Sequence, residues 1–368
     1  MSDNRKKIII AGGGTGGHLF PAIAIGEDLE KDGMNVKYIG SKNGIEANQK
    51  FIKNEKIELL DLRGFIRSWS IGSIIKNILL LTKVLKSYIK VKKIFKYFKP
   101  DFVIGTGGYA CAIPLYLGIK NNIPTAIQEQ NVLPGMVTRK FANKVDIIFL
   151  SFEETEKHLN KNNYFLVGNP IRSMIKKIDR NKAAQGMGLD PKKKTILILG
   201  GSQGAKSIND HFMKNHKQYL DKDLQLLWQT GENSRLELKE VDNPNIKKYE
   251  FIDKMDYAYS TADIVVSRAG ATAISEILYL GKPSILIPYP HAADNHQELN
   301  AKALELNGAS IVVHETEFSN GKLEKSIFSI IDSSEKMELF SSNSKLYSKT
   351  DSSLLIKEKL EQIMLDAG

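Results

Sequence analysis

The chain has one cysteine, Cys111, in 368 residues. That excludes a disulfide framework and a thiolate metal site, and it fits a reducing, cytoplasmic setting. Long apolar runs are missing as well, so no segment reads as a membrane span. Arg5-Lys6-Lys7 precedes only three isoleucines before glycines begin, too few for a secretory signal. A soluble or peripheral protein is predicted. Acidic residues are absent between Asp61 and Asp101, where Arg63, Arg67, Lys76, Lys83, Lys86, Lys90, Lys92, Lys93, Lys96 and Lys99 supply ten positive charges. Removing those ten from 52 basic residues leaves 42 against 42 acidic ones, so the net charge of +10 sits in this one segment.

What is present is a repeated pattern. The length exceeds what one hydrophobic core usually supports, and strand-like and helix-like segments alternate, which predicts two α/β domains with parallel sheets. Lys7-Ile8-Ile9-Ile10-Ala11 runs into Gly12-Gly13-Gly14-Thr15-Gly16-Gly17-His18 and then a helical segment over 21–31. A β-branched strand that stops at glycines and opens a helix is a phosphate-binding turn, and Gly12, Gly14 and Gly17 satisfy G-x-G-x-x-G. A nicotinamide site would need an acid at the end of the next strand, over 35–39, to hold the ribose. Gly40 and Ser41 stand there instead, which disfavours NAD and leaves NADP, through Lys42, as a rival reading.

The basic segment reads as a helix over 71–98. Ile71, Ile74, Ile78, Leu81, Leu85 and Tyr88 recur at helical spacing, with Lys76, Lys83, Lys86, Lys90 and Lys93 on another face. One reading is a surface helix packed on its sheet. Another is a patch for an anionic membrane, favoured by the loop Gly64-Phe65-Ile66-Arg67-Ser68-Trp69 with its apolar tips between arginines. Nucleic acid is disfavoured because Tyr88, Phe95, Tyr97 and Phe98 have core-packing spacing.

A second strand-to-glycine turn follows at Gly105-Thr106-Gly107-Gly108-Tyr109, and a strand over 125–127 runs into Gln128-Glu129-Gln130-Asn131. Polar side chains at the carboxyl end of a parallel strand are where open α/β sheets hold ligands. Further strands over 145–150 and 164–167 close this half, and 173–194 reads as a linker region. The pattern restarts with a strand over 195–199 and the turn Gly200-Gly201-Ser202-Gln203-Gly204-Ala205, followed by strands over 224–229, 248–252, 264–266, 284–287 and 310–313.

Ser267-Arg268-Ala269-Gly270-Ala271-Thr272-Ala273-Ile274-Ser275-Glu276 sets small residues at a helix start, suited to a diphosphate, with Glu276 able to accept from ribose hydroxyls. Asp294 and Gln297 suit sugar hydroxyls. Asp221-Lys222-Asp223 reads as a turn, and His291 and His296 are five apart, off the spacing of a helical ligand pair, so no metal is assigned. An amphipathic helix over 352–365 has no strand after it and must pack on structure already built.

Seven motifs in order carry a family resemblance: Gly13 to His18 with Pro21; Gly107-Gly108-Tyr109; Glu129-Gln130-Asn131; Gly168-Asn169-Pro170-Ile171-Arg172; Gly200 to Ala205; Ser267 to Thr272 with Ser275-Glu276; and Asp294 to Gln297 with Asn300-Ala301. Over nearly the whole chain they resemble the MurG family of peptidoglycan N-acetylglucosaminyltransferases. The resemblance implies a GT-B fold. That is two Rossmann-like doubly wound α/β domains facing across a cleft, 1–168 on the acceptor and membrane side and 169–344 for the UDP sugar, with 345–368 returning to the first. It implies inverting transfer of N-acetylglucosamine from the UDP sugar to the muramoyl 4-hydroxyl of lipid I, giving lipid II at the cytoplasmic face of the membrane, without cofactor. Donor contacts are implied for Thr15, Gly16, Gly17, Asn131, Arg172, Ser202, Ile252, Ala271, Thr272, Ala273, Ile274, Ser275, Glu276 and Gln297. Gly14, Gly108 and Tyr109 fall on the acceptor side. His18 is the first candidate for the catalytic base or for orienting the acceptor, and Glu129 the second. The chain departs from the family where Gln128 replaces a usual His and Thr138 a usual Asn, so position 128 here shuttles no proton. A glycolipid-forming relative and a non-catalytic membrane scaffold are the other readings.

Overall fold

The computed structural model describes residues 5–47, 52–62, 71–160, 163–201, 203–231 and 243–366. The chain forms two compact units, Met1–Arg172 with Asp351–Gly368, and Ser173–Thr350.

In the first unit the chain runs β1 (Lys7–Gly12), α1 (Gly16–Lys31), β2 (Asn35–Ser41), β3 (Ile57–Leu60), α2 (Ile71–Phe98), β4 (Phe102–Gly107), α3 (Ala112–Lys120), β5 (Thr125–Glu129), α4 (Met136–Phe141), β6 (Ile147–Leu150) and β7 (Tyr164–Leu166). The strands form one parallel sheet, ordered β3-β2-β1-β4-β5-β6-β7. A parallel sheet covered by helices on both faces needs strands apolar on both faces, which is why Ile8, Ile9 and Ile10 run without alternation. Ile8 and Ile10 pack against Leu19 and Leu29 of α1, while Ile9 points to the other layer with Val91, Phe95 and Leu115.

No strand is expected at β3 from the sequence. It is an edge strand, mostly half-buried, and its Glu58 meets Lys90 at 2.8 Å, so it lacks the apolar run that marks its neighbours. Helix α2 is also phased differently from expectation. Its packed face holds Leu80, Val91 and Phe95, whereas Leu81 (69% exposed) and Leu85 (60%) point outward. The side chains of Ile71, Ile74, Lys76 and Ile78, and the loop Gly64 to Trp69, lie outside the described residues.

In the second unit follow α5 (Arg180–Gly186), β8 (Thr195–Leu199), α6 (Lys206–Leu220), β9 (Gln225–Gln229), β10 (Ile246–Tyr249), α7 (Met255–Thr261), β11 (Ile264–Arg268), α8 (Ala271–Tyr279), β12 (Ser284–Ile287), α9 (His296–Leu306), β13 (Ile311–Val312), α10 (Lys322–Ile331) and α11 (Ser334–Tyr347). The sheet is again parallel, ordered β10-β9-β8-β11-β12-β13. The region expected as linker contains α5. Its polar composition hides a helix that buries only Ala183 and Ala184, yet Arg180 forks onto Asp263 at 2.9 and 2.8 Å and Asp179 caps the first turn. Asp221-Lys222-Asp223 forms the turn between α6 and β9.

The last helix, α12 (Ser352–Asp366), rejoins the first unit, as the resemblance implies. Its Ile356, Leu360 and Met364 are buried with Ile8, Ile10 and Leu19, and Lys357 pairs with Asp32 at 2.5 Å. Among the described residues no helix is long and apolar enough to cross a membrane.

Candidate active site

Each sheet reverses strand order beside its first strand, β1 between β2 and β4 and β8 between β9 and β11. The crevice at the carboxyl ends of such strands is where open α/β sheets bind ligands. Both glycine turns lie there.

In the first unit the turn after β1 is filled by the protein itself. Glu46 is buried, and its carboxylate accepts from Gly14 N at 2.9 and 3.0 Å and from Ser41 N at 2.6 Å. The acid that a dinucleotide site would aim at a ribose is thus present five residues late and spent on the loop. His18, half-buried in the first turn of α1, lies over the β4 turn, where Gly107 takes φ +100° and a β-carbon would overlap the His18 ring. Thr106 Oγ1 donates to His18 O at 2.9 Å, and His18 Nδ1 lies 3.0 Å from Gln130 Oε1. Gly108, at φ +74°, leads to the exposed Tyr109. Thr15 is exposed and Gly16 and Gly17 half-buried at the start of α1. The guanidinium of Arg172 stacks 4.2 Å over the Phe20 ring of the same helix.

Glu129 ends β5 and is buried. Its Oε1 accepts from Asn131 N (3.1 Å) and Asn131 Nδ2 (3.3 Å), and its Oε2 from Gly135 N (2.9 Å) and Thr138 Oγ1 (2.5 Å). Thr138 therefore keeps a donor on Glu129 despite departing from the family pattern. A carboxylate holding four donors organises the loop 131–138 and has little capacity left as a base, whereas His18 keeps a ring edge. Gln128 is buried in a chain of amides, donating through Nε2 to Ser151 Oγ (3.0 Å) and Asn169 Oδ1 (3.2 Å). Cys111 is buried and its thiol pushed up to about 12, the range of an inert cysteine.

In the second unit the site is more open. A β-carbon at Gly201 or Gly270 would meet nothing within 4 Å among the described residues. Helix α8 starts directly after the extended Gly270, with Ala271 and Ile274 buried and Thr272 and Ala273 half-buried in its first turn. Thr272 Oγ1 is buried with no partner among the described residues, and Ser275 Oγ donates to Ala271 O at 2.8 Å. Glu276 is buried and accepts from Tyr259 OH at 3.1 Å. Gln229 ties two walls together, donating to Gly201 O (3.2 Å) and accepting from Ile252 N (3.0 Å). Gln297 Oε1 accepts from Tyr289 N at 3.0 Å, below a loop in which Asp294 and Asn295 take φ +49° and +55°. Consecutive left-handed non-glycine residues are a strained backbone of the kind found at ligand sites. Ser202 lies outside the described residues. Among the described residues no group of three or more His, Cys, Asp or Glu side chains is arranged to hold a metal.

The structure brings His18, Gly107, Gly108 and the β5 polar run together in one unit; in the other, Gln229 joins Gly201 to Ile252, and Ala271 to Glu276 follow β11, the strand beside β8. Sequence reasoning did not single out Glu46, Gln130, Gln229 or Tyr259. The only signal for Gln130 was its place within Glu129-Gln130-Asn131; the other three carry no local pattern.

Residues 8–150 match the N-terminal domain of glycosyltransferase family 28 and residues 195–358 its C-terminal domain. Curated relatives named UDP-N-acetylglucosamine–N-acetylmuramyl-(pentapeptide) pyrophosphoryl-undecaprenol N-acetylglucosamine transferase are similar over almost the full length. The one from Christiangramia forsetii is 35% identical over 97% of this chain and 98% of its own, and that from Listeria monocytogenes 37% over 97% and 99%. The crystal structure of Acinetobacter baumannii MurG superposes with a TM-score of 0.72 at 23% identity, over 97% of this chain and 99% of that one. With both domains matched in order and relatives above 30% identity along the whole chain, the protein belongs to glycosyltransferase family 28, in the family of these N-acetylglucosamine transferases.

Proposed function

We infer that the chain is an inverting hexosyltransferase that moves N-acetylglucosamine from UDP-N-acetylglucosamine to the muramoyl 4-hydroxyl of undecaprenyl-diphospho-muramoylpentapeptide, the lipid I to lipid II step of peptidoglycan synthesis. The observation that carries the reading is the near-complete alignment with transferases of that name. The test is UDP release and disaccharide formation from UDP-N-acetylglucosamine and a lipid I analogue. No product with lipid I, but transfer to a diacylglycerol or sterol, would shift the chain to the glycolipid synthases.

The residues divide the chemistry. Inversion requires in-line attack, so a base takes the acceptor proton as the new C1–O4 bond forms and UDP leaves with its electron pair. His18 is the base in this reading, and Glu129 the residue that shapes the loop carrying Asn131. The leaving diphosphate is stabilised at the start of α8, where Ala271, Thr272 and Ala273 present backbone N–H groups and the positive end of the helix dipole. Thr272, with its buried hydroxyl lacking a partner among the described residues, supports this. Glu276 holds the uridine ribose, Ile252 lines the base, Ser275 and Ile274 shape the turn, and Gln297 holds the sugar. Ser202, Arg172, Asn131, Thr15, Gly16 and Gly17 complete the donor contacts. On the acceptor side, Gly108, Tyr109 and the turn at Gly14, held in place by Glu46, take the lipid diphosphate. The loop strain at Asp294 and Asn295 supports a ligand role for that segment.

Docking on an anionic, inner-leaflet membrane surface is the second part of the reading. Leu81, Leu85 and Ile89 are exposed at spacing four, flanked by exposed Lys86, Lys92, Lys93 and Lys96. Lys83 and Lys90 are less available, being paired with Asp61 at 2.9 Å and Glu58 at 2.8 Å. Each basic residue near such a surface contributes roughly 1 kcal/mol, and the leucines add apolar contact. Replacing Leu85 and Ile89 with Glu, or Lys86, Lys93 and Lys96 with Glu, is expected to reduce sedimentation with phosphatidylglycerol vesicles. Unchanged sedimentation of both variants would remove the membrane role.

A further inference from the structure

We propose that Gln130 is a positioning residue that sets the His18 imidazole in its Nδ1–H tautomer, so that Nε2 is the atom that accepts the proton. Its catalytic consequence rests on the reading of His18 as the base; the tautomer itself does not.

The orientation of one buried amide decides the matter. Gln130 is 1% exposed, and one end of its side chain lies 2.7 Å from Thr106 O, 2.8 Å from Gln128 O and 2.5 Å from Gln128 Oε1. The two backbone oxygens can only accept hydrogen bonds, so the group facing them is the NH2, with two protons to give. Gln128 is oriented the same way. Its NH2 faces Ser151 Oγ and Asn169 Oδ1, and the Ser151 proton is already committed to Glu129 O at 2.8 Å. The remaining end of Gln130 is Oε1, an acceptor, 3.0 Å from His18 Nδ1. A hydrogen bond there needs a proton on Nδ1. Neutral imidazole carries one N–H, so the network assigns Nε2 the free lone pair.

The rest of the surroundings hold the ring for this contact. Thr106 Oγ1 grips His18 O, and the absence of a side chain at Gly107 makes room for the imidazole. When Nε2 takes the 4-hydroxyl proton, the ring becomes imidazolium and keeps both N–H groups, so the Nδ1–H bond to Gln130 Oε1 is retained and becomes charge-assisted. The hydroxyl oxygen bonds to the anomeric carbon, and the bond from that carbon to the UDP oxygen breaks with its electrons going to UDP. From Ser151 to Gln130 the relay contains only hydroxyl and amide groups, none of which titrates in the working pH range. Gln128 stands where the resemblance puts a histidine, whose ring can change its proton with pH. The amide here keeps the relay pointing in one direction.

The test is the ring 15N spectrum of histidine-labelled full-length protein, with the His18 signals identified by their loss in His18→Ala. The expected wild-type spectrum has a protonated Nδ1 and an unprotonated Nε2. Gln130→Met should shift the ring to a mixture dominated by Nε2–H, with kcat down by about 10- to 100-fold and KM for UDP-N-acetylglucosamine within about twofold. Gln128→Met should retain the wild-type signature, because Thr106 O and Gln128 O still orient Gln130. A wild-type Nε2–H signature, or an unchanged tautomer in Gln130→Met, overturns the proposal; if Gln130→Met does not fold, the wild-type spectrum decides alone. Near-normal turnover by His18→Ala would instead overturn the base assignment, which separates the two failures.

Discussion

The two glycine turns occupy equivalent places in two similar sheets, yet only the first, among the described residues, carries a carboxylate of the chain itself. After β1, the Glu46 carboxylate sits on the Gly14 amide and the His18 ring covers Gly107. After β8 and β11, a β-carbon at Gly201 or Gly270 would meet nothing within 4 Å among the described residues, as is also true at Gly14, but no carboxylate of the chain sits on these turns among the described residues, and the first turn of α8 has an unpartnered hydroxyl among them. The same strand–glycine–helix unit is thus committed differently in the two places. The first turn, with the Glu46 carboxylate in place, sets the His18 ring against Gly107, whereas the amides at the start of α8 hold no carboxylate of the chain among the described residues. The same contrast accounts for the failure of the dinucleotide reading in the first unit.

The largest effect is expected at His18. If the first turn serves proton transfer, His18→Ala lowers kcat by about 10²- to 10⁴-fold with donor KM little changed, measured as UDP release. If the turn in the second unit serves the donor, Glu276→Gln behaves in the opposite sense, raising KM for UDP-N-acetylglucosamine by about 10- to 100-fold, as expected when a charged hydrogen-bond partner is lost. Equal effects of both variants on kcat alone would erase the distinction. A smaller effect tests the internal anion. Glu46→Gln should cost about 1–3 kcal/mol of stability in urea unfolding, through the loss of charge-assisted bonds to Gly14 and Ser41, and should leave donor KM unchanged.

The smallest effect concerns pH. Burial pulls the Lys282 ammonium down to about 8 from its ordinary 10.5, against the attraction of Asp263, while Nζ donates to Ala262 O at 2.7 Å. Below that value the folded chain bears the cost of a buried charge. As pH rises through it the folded state sheds a proton that the unfolded state keeps, so stability rises. The slope is at most about 1.4 kcal/mol per pH unit. Urea midpoints between pH 8 and 9.5 should therefore rise more steeply in the wild type than in Lys282→Met, and equal slopes would discount the shift.

Much of this was legible from residue order. The continuous isoleucines of β1 and the apolar run of β8 announced strands buried on both faces, and each glycine cluster marked a turn, because only glycine tolerates that backbone and that closeness. Where the local signal was weak, reading failed. β3 is an edge strand with one side wet, α5 buries two alanines, and in α2 a run of apolar residues on every side left the phase undetermined until packing chose Leu80, Val91 and Phe95 over Leu81 and Leu85. The resemblance also makes Glu129 the second candidate for the base. Its four donors, from Asn131, Gly135 and Thr138, favour a loop-organising role instead.

By itself the sequence determined the parallel α/β class, the repetition of the strand–glycine–helix unit and the family, since periodicity and motif order are properties of the chain alone. Tertiary structure alone decided what each polar group is committed to. Glu46 reaches back 32 residues to Gly14, and Gln130 meets His18 across 112. Hydrogen bonds join groups that the sheet order makes neighbours, and a chain read in order carries no measure of which distant donor will find which acceptor.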